Sequence, residues 1–255
     1  MISKVGKYEF LAEPFHCDME GRLFMGHLGN HLINAADFHS NDRGFGMTYL
    51  MPRKLAWVLS RLVIEMDEMP QAYDRFTVET WVESAMRFFT NRNFRITNVA
   101  DNRVIGYGKS VWAMINTETR QPVDLLKVRD GELLNYVETE ENCPIARPSR
   151  VTMSAEAQEV ETISTHYCDV DMNGHINSIK YIEHVLDLWS LDFYRAHSIK
   201  RFEIAYVAET HCGDKLSFLR EETAPNEYCV RIMKLPADGS VAQESCRCKV
   251  IFVEK

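Results

Sequence analysis

Two stretches of this chain carry the same alternation of apolar and polar residues. Residues 61–79, RLVIEMDEMPQAYDRFTVE, and residues 201–219, RFEIAYVAETHCGDKLSFL, align without a gap, at an offset of 140. Arg61 meets Arg201, Ile64 meets Ile204, Asp74 meets Asp214, Arg75 meets Lys215 and Phe76 meets Leu216. Period-two alternation marks a half-buried strand, with one face on a core and the other in water. The first copy runs on into NFRITN and VIGYGKSVWAMIN, the second into EYCVRIMK and VAQESCRCKVIFV. Turn chemistry such as ADNR and PADGS joins these antiparallel-style strands.

Each copy is preceded by a helical period. In GRLFMGHLGNHLINAADFH, the residues Leu23, Leu28, Leu32, Ala35 and Ala36 approximate one face. In the second copy Ile179, Ile182, Val185, Leu186, Trp189 and Phe193 recur at spacings of three and four, with Glu183, Asp187 and Asp192 largely off the stripe. The order is strand, long helix, then a meander of strands, and it occurs twice. A sheet curled around one buried helix satisfies that order, because helix and sheet each bury one apolar face against the other. The expected fold is therefore α+β in two tandem halves. ENCPIARPSR carries two prolines and few apolar residues, which places a linker at 142–150 between halves 1–141 and 151–255.

A composition of 45% apolar and 26% charged residues is that of a soluble globular protein. No apolar run approaches the ~18 residues of a membrane helix, so no membrane span is expected. MISKVGKYEF lacks the apolar core of a secretory signal. Seven cysteines at irregular spacings, with Cys246 and Cys248 on one strand face beside Val250 and Phe252, read as buried reduced thiols. A cytoplasmic location follows. The formal net charge of −8 argues against a general nucleic-acid binder. One local exception is RFFTNRNFR, residues 87–95, where Arg87, Arg92 and Arg95 have no acid between them. It reads either as a solvated strand or as a dock for an acidic partner or a phosphate.

The chemistry concentrates in CDVDMNGHINSIK, residues 168–180. Asp169, Asp171, Asn173 and Gly174 meet the early positions of a calcium loop, but Lys180 stands where the closing bidentate glutamate belongs, which rejects calcium. Zinc ligation by His166, Cys168, Asp171 and His175 matches no common ligand spacing, so no metal is expected. What remains is placement at a helix entrance. Asn177 or Asn173 can cap a helix starting near Ile176, with its free N–H groups beside His175, Asn173 and Asp171. Any one of these residues alone reads as a cap or a satisfied side chain. Three on alternating positions at one entrance favour chemistry, with the helix N–H groups near Gly174 stabilising an oxyanion.

The strip DVDMNGHINSIKYIEHVLD resembles the signature of the acyl-acyl-carrier-protein thioesterases, the plant-type fatty-acyl-ACP hydrolases and their bacterial relatives. The first-half segments NDRGFGMTYLMPRKLAWVLSRLVIEMDEMP and VETWVES add to the likeness, which spans nearly the whole chain. The resemblance implies a double hotdog fold and hydrolysis of a thioester to a free fatty acid. It carries the catalytic strip to Asp171, Asn173 and His175, and a further acid to Glu209 in Tyr206-Val-Ala-Glu209-Thr210-His211-Cys212. Thr210 occupies the family's adjacent cysteine position, so a papain-like cysteine mechanism is not expected. No cofactor is implied. The partner implied is acyl carrier protein bearing a phosphopantetheine-linked acyl chain. The family's acyl pocket lies in the first half, with Trp57, Met47 and Phe88 as candidate lining and Arg87, Arg92 and Arg95 as candidate carrier contacts. Lys180 and Arg201 are further candidates for the carrier. The competing readings are an acyl-CoA thioesterase, a non-catalytic acyl-carrier or lipid-binding hotdog protein, and a hotdog dehydratase.

The duplication bears on the number of sites. Aligning Met-Gly-His-Leu at 25–28 with Asn-Gly-His-Ile at 173–176 sets His27 against His175, Met25 against Asn173 and Leu23 against Asp171. At the offset of 140, Met69 faces Glu209. One active site per chain is expected, in the second half. The two halves form a pseudo-dimer, which can stand alone or pair again as a homodimer.

Overall fold

The computed structural model describes residues 2–255, in two compact units: one runs to Arg147 and the other begins at Pro148. The first unit contains β1 (Gly6–Leu11), α1 (Met25–Asp42), the short α2 (Met47–Leu50), β2 (Leu55–Met66), β3 (Arg75–Ala85), β4 (Phe89–Asn98) and β5 (Val104–Asn116). All its strand pairs are antiparallel, in the order β1-β3-β4-β5-β2. The expected meander holds for β3, β4 and β5. However, β2 lies beyond β5, with Leu55 opposite Asn116, because β1 already pairs along β3, Gly6 opposite Thr80.

The α1 stripe buries Leu28, Leu32, Ala35 and Ala36, as its spacing predicts, whereas Leu23, also buried, precedes the helix, which begins at Met25. Glycine in β5 lets the helix come close. A Cβ at Gly108 would stand 3.1 Å from Phe94 Cδ2 and 3.2 Å from Leu32 Cδ1. Deep in the same interface, Phe76, Val78, Phe94 and Ile96 are fully buried. Burying surfaces of this size is the main favourable term in folding, about 2 kcal/mol for each large apolar side chain.

The second unit contains β6 (Gln158–Ser164), α3 (Ser178–Leu186), α4 (Leu191–Ala196), β7 (His197–Tyr206), β8 (Lys215–Ala224), β9 (Glu227–Leu235) and β10 (Gln243–Glu254). Its strands run β6-β8-β9-β10-β7, the order of the first unit repeated strand for strand. The single long helix expected here is two helices. After Leu186 the chain turns, and Ser190 caps α4 by accepting from Phe193 N at 3.2 Å. Arg220 Nη1 takes up the carbonyl of Leu188 at 2.7 Å. Trp189, between the helices, still reaches the core and packs edge-on against Phe252 at 5.0 Å. The stripe was real, but a hydroxyl that bonds its own backbone favours a helix start over a helix interior.

Cys246 and Cys248 are fully buried, on the strand face shared with Val250 and Phe252, and all seven cysteines are free. No helix among the described residues is long and apolar enough to cross a membrane.

Candidate active site

The strip from Cys168 onward is a loop held at both ends. Thr165 N donates to Asp214 O at 3.1 Å, and a 3-10 turn follows at Tyr167–Asp169. Val170 and Ile176 then face each other as an isolated antiparallel bridge, closing a tight loop between them. Asp171 organises that loop. Its Oδ1 accepts from Asn173 N at 2.8 Å, its Oδ2 lies 3.4 Å from Asn173 Nδ2, and its own N–H donates to His175 O at 2.9 Å. Gly174 closes the turn at φ +80°, in the left-handed region that glycine adopts without cost. Helix α3 starts two residues later than its pattern predicts, with Asn177 as cap, accepting from Ile179 N at 2.9 Å.

One backbone bond then brings in a distant segment. Ile176 N donates to Thr210 O at 2.9 Å, which sets Glu209 beside the loop. Glu209 Oε2 lies 3.4 Å from His175 Nε2, and both side chains are open to water, His175 at 26% and Glu209 at 39%. The acid's own backbone is pinned by Lys234 Nζ, which donates to Glu209 O at 2.9 Å. Behind it the buried Thr210 Oγ1 meets Ser245 Oγ at 3.0 Å, and Ser245 Oγ lies 3.3 Å from Tyr181 OH. His211 presents its ring edge-on to His175 at 5.0 Å. A solvent-open carboxylate–imidazole pair can take a proton from water and return it.

Residues 4–129 match the acyl-ACP thioesterase N-terminal domain, and residues 152–253 match the acyl-ACP thioesterase C-terminal domain. The chain belongs to the acyl-ACP thioesterase family. It is 50% identical to an acyl-ACP thioesterase of Bacteroides thetaiotaomicron, with a TM-score of 0.89 and 98% of each chain covered. The 12:0-ACP thioesterase of Umbellularia californica shares the fold at 19% identity and a TM-score of 0.83, covering 100% of this chain and 99% of that one. The chloroplastic oleoyl-acyl carrier protein thioesterase 2 of Arabidopsis thaliana is 28% identical over 241 residues, 89% of this chain and 65% of that protein. The chain spans 47% to 65% of the length of the first curated relatives it matches. As in these acyl-ACP thioesterases, the fold is a double hotdog.

Within this thioesterase fold, Asp171, Asn173, His175 and Glu209 come together, but not in every expected role. Gly174 N is already donated to Asp171 O at 3.0 Å, and the helix begins at Ser178, so the N–H groups near Gly174 are not the oxyanion donors expected. The Asn173 side-chain amide, 3.4 Å from Asp171 Oδ2, is an exposed donor of the same loop. Cys212 is exposed and two residues past Thr210.

Among the first-half candidates, Trp57 packs on an apolar cluster of Phe45, Leu50, Met114, Leu125, Val128 and Leu133, and its Nε1 donates to Phe45 O at 3.0 Å. Met47 is half-buried in α2, and Phe88 lies under the Arg87 guanidinium at 4.8 Å. The three arginines form no single patch. Arg92 and Arg95 point to opposite faces of β4, as residues an odd number apart in a strand must. Arg92 is buried, bonded to Thr80 Oγ1 at 3.2 Å and Ser40 Oγ at 3.3 Å, and burial together with the charge of Arg43 pushes it down to about 9. It cannot touch a carrier. Arg95 is held by Glu79 at 2.6 Å and Glu141 at 3.0 Å. Arg87 alone is well exposed, 3.2 Å from Asp124. Of the two further candidates, Lys180 is paired with Glu183 at 2.7 Å, and Arg201 is buried against Glu203 at 2.8 Å.

The structure also corrects the internal alignment. In the first half a bridge of Cys17 to Leu23 closes the loop that Val170 and Ile176 close in the second, an offset of 153. Asp18 N donates to Arg22 O, Gly21 N to Asp18 O, and Glu20 N to Asp18 Oδ1, matching the bonds of Asp171, Gly174 and Asn173 one for one. Leu23 N donates to Pro70 O as Ile176 N does to Thr210 O. The counterpart of His175 is therefore Arg22, and that of Asn173 is Glu20. His27, chosen from the Gly-His pair, instead stacks on His16 at 3.9 Å. The signal that finds the correct register is Asp-Met-x-Gly, present at 18–21 and at 171–174.

Proposed function

We propose that this chain hydrolyses fatty-acyl-ACP to a free fatty acid and the carrier thiol, using no cofactor. The supporting observation is the solvent-open pair of His175 Nε2 and Glu209 Oε2 at 3.4 Å, with Asn173 in the same loop as His175. Glu209 takes a proton from water, and the water oxygen adds to the thioester carbonyl carbon. Asn173 holds that carbonyl oxygen as charge develops on it. The tetrahedral intermediate collapses with cleavage of the C–S bond, and the proton held by Glu209 passes through His175 to the departing sulfur. Asp171 acts at one remove, by fixing Asn173. Catalysis of this type contributes ~100- to 10,000-fold from the base alone. The acyl chain is assigned to the first half, around the cluster that includes Trp57. A reducing, cytoplasmic setting is part of this reading and is supported by seven unpaired cysteines.

Measuring thiol release from acyl-ACP and acyl-CoA panels tests the reading. Faster release from the ACP donors supports it, equal or faster release from CoA reassigns the carrier, and no thiol from either donor rejects hydrolysis.

A further inference from the structure

We propose that Asp169 and His184 are positioning residues that hold the catalytic loop in register with helix α3. This rests on the reading that His175 and Glu209 do the chemistry. Asp169 is 3% exposed, and a buried carboxylate persists only where its oxygens are satisfied. Its Oδ1 lies 3.1 Å from His184 Nε2, on the far turn of α3, and its Oδ2 accepts from His166 N at 2.7 Å. Its backbone carbonyl accepts from Asn177 N, the cap of the same helix, at 2.8 Å. One residue thus ties the entry of the loop, its exit, and the body of the helix. Everything between, from Asp171 to His175, hangs from those ties.

The first half repeats the device without the chemistry. At the offset of 153, His16 takes the place of Asp169 and His31 that of His184. There Glu13 Oε2 lies 3.4 Å from His16 Nδ1 and 3.8 Å from His31 Nε2. The acid has moved to a nearby residue and stands 3.8 Å from a His31 ring that makes no hydrogen bond, so an acid–histidine proximity between turn and helix remains in both halves. The first half lacks counterparts of His175 and Glu209, so what the two links share is geometry. In the second half that geometry sets the 3.4 Å separation of the reacting pair. Misplacement of reacting groups by about 1 Å costs on the order of 100-fold in rate.

Steady-state kinetics with acyl-ACP on His184→Ala, His184→Gln and His175→Ala, with amide exchange across residues 170–176, tests the assignment. Glutamine keeps an N–H donor near the place of the imidazole Nε2. The expected result for His184→Ala is a kcat lower by roughly 10- to 100-fold at a KM within about twofold of the parent. Exchange at Asp171 and Gly174 should quicken, and His184→Gln should recover kcat to within about fivefold. If the alanine variant does not fold, His184→Phe fills the volume without the bond and is read in its place. A kcat within about twofold of the parent, or a glutamine variant as impaired as the alanine one, overturns the positioning role. An inactive His175→Ala alongside that outcome leaves the chemistry of the pair standing. An active His175→Ala overturns both.

Discussion

Glu209 is the residue on which the proposed chemistry turns, and its carboxylate faces the imidazole without help from any cysteine. Glu209→Gln keeps the shape and removes the base, so kcat should fall at least ~100-fold, as should that of His175→Ala. Cys212→Ala should retain most activity. A cysteine nucleophile needs a base within hydrogen-bond reach and a depressed pKa, and Cys212 lies outside the His175–Glu209 pair. Capture of an acyl group on Cys212, seen by mass spectrometry, would refute this. At this scale the strip Asp171, Asn173 and His175 was legible in the sequence, because residue type and alternate spacing suffice to mark a polar cluster. Arg92 was not. A charged residue in a strand reads as wet, and nothing local says that Ser40 and Thr80 wait inside to receive it.

Helix α1 buries a titratable group, His39. Burial, reinforced by the charge of Arg92, pushes His39 from 6.5 down to about 2, while its Nε2 sits 2.9 Å from Lys4 O. The folded state therefore refuses a proton that the unfolded chain accepts below pH 6.5. Stability from this group is full above that pH and falls as pH drops, by about 1.4 kcal/mol per unit. Between pH 6.5 and 5 the loss is about 2 kcal/mol. Urea unfolding at both pH values should show it, and His39→Gln should flatten the slope. If the two proteins lose stability in parallel, His39 is not the group. The loop ahead of α1 makes a separate prediction. Arg22 is clamped by Asp18 at 2.9 Å and Glu20 at 3.0 Å. Arg22→Gln should cost on the order of 1–2 kcal/mol in stability, and kcat should stay near the parent value. His27→Ala should likewise leave kcat near the parent value. A loss of kcat in either variant matching that of His175→Ala would mean a second site. The elements themselves were largely readable from periodicity. The break between α3 and α4 was not, because a stripe of buried residues survives a turn that keeps Trp189 pointing inward.

For the whole molecule, a formal charge of −8 repels an acidic partner at long range, so the proposed docking of a carrier, if that carrier is acidic, would rest on local cations. With Arg92 and Arg201 buried and Arg95 and Lys180 half-buried in ion pairs, Arg87, 67% exposed despite its contact with Asp124, is the candidate that remains. Arg87→Glu should raise KM for acyl-ACP by roughly two- to fivefold, and added salt should narrow the difference from the parent. Turnover of a short carrier-free thioester should not change. An unaltered KM for acyl-ACP removes Arg87 from the dock. The duplication, the order of strands and helices, and the residue types of the reactive strip all follow from patterns that repeat every two to four residues. Such patterns survive in one dimension because each reports which face of an element meets the core. The correspondence of the two loops at an offset of 153, the place of β2 beyond β5, and the meeting of His175 with Glu209 belong to another class of fact. They depend on which backbone N–H finds which distant carbonyl, as Ile176 finds Thr210, and that choice is made only when the sheet closes on its helix.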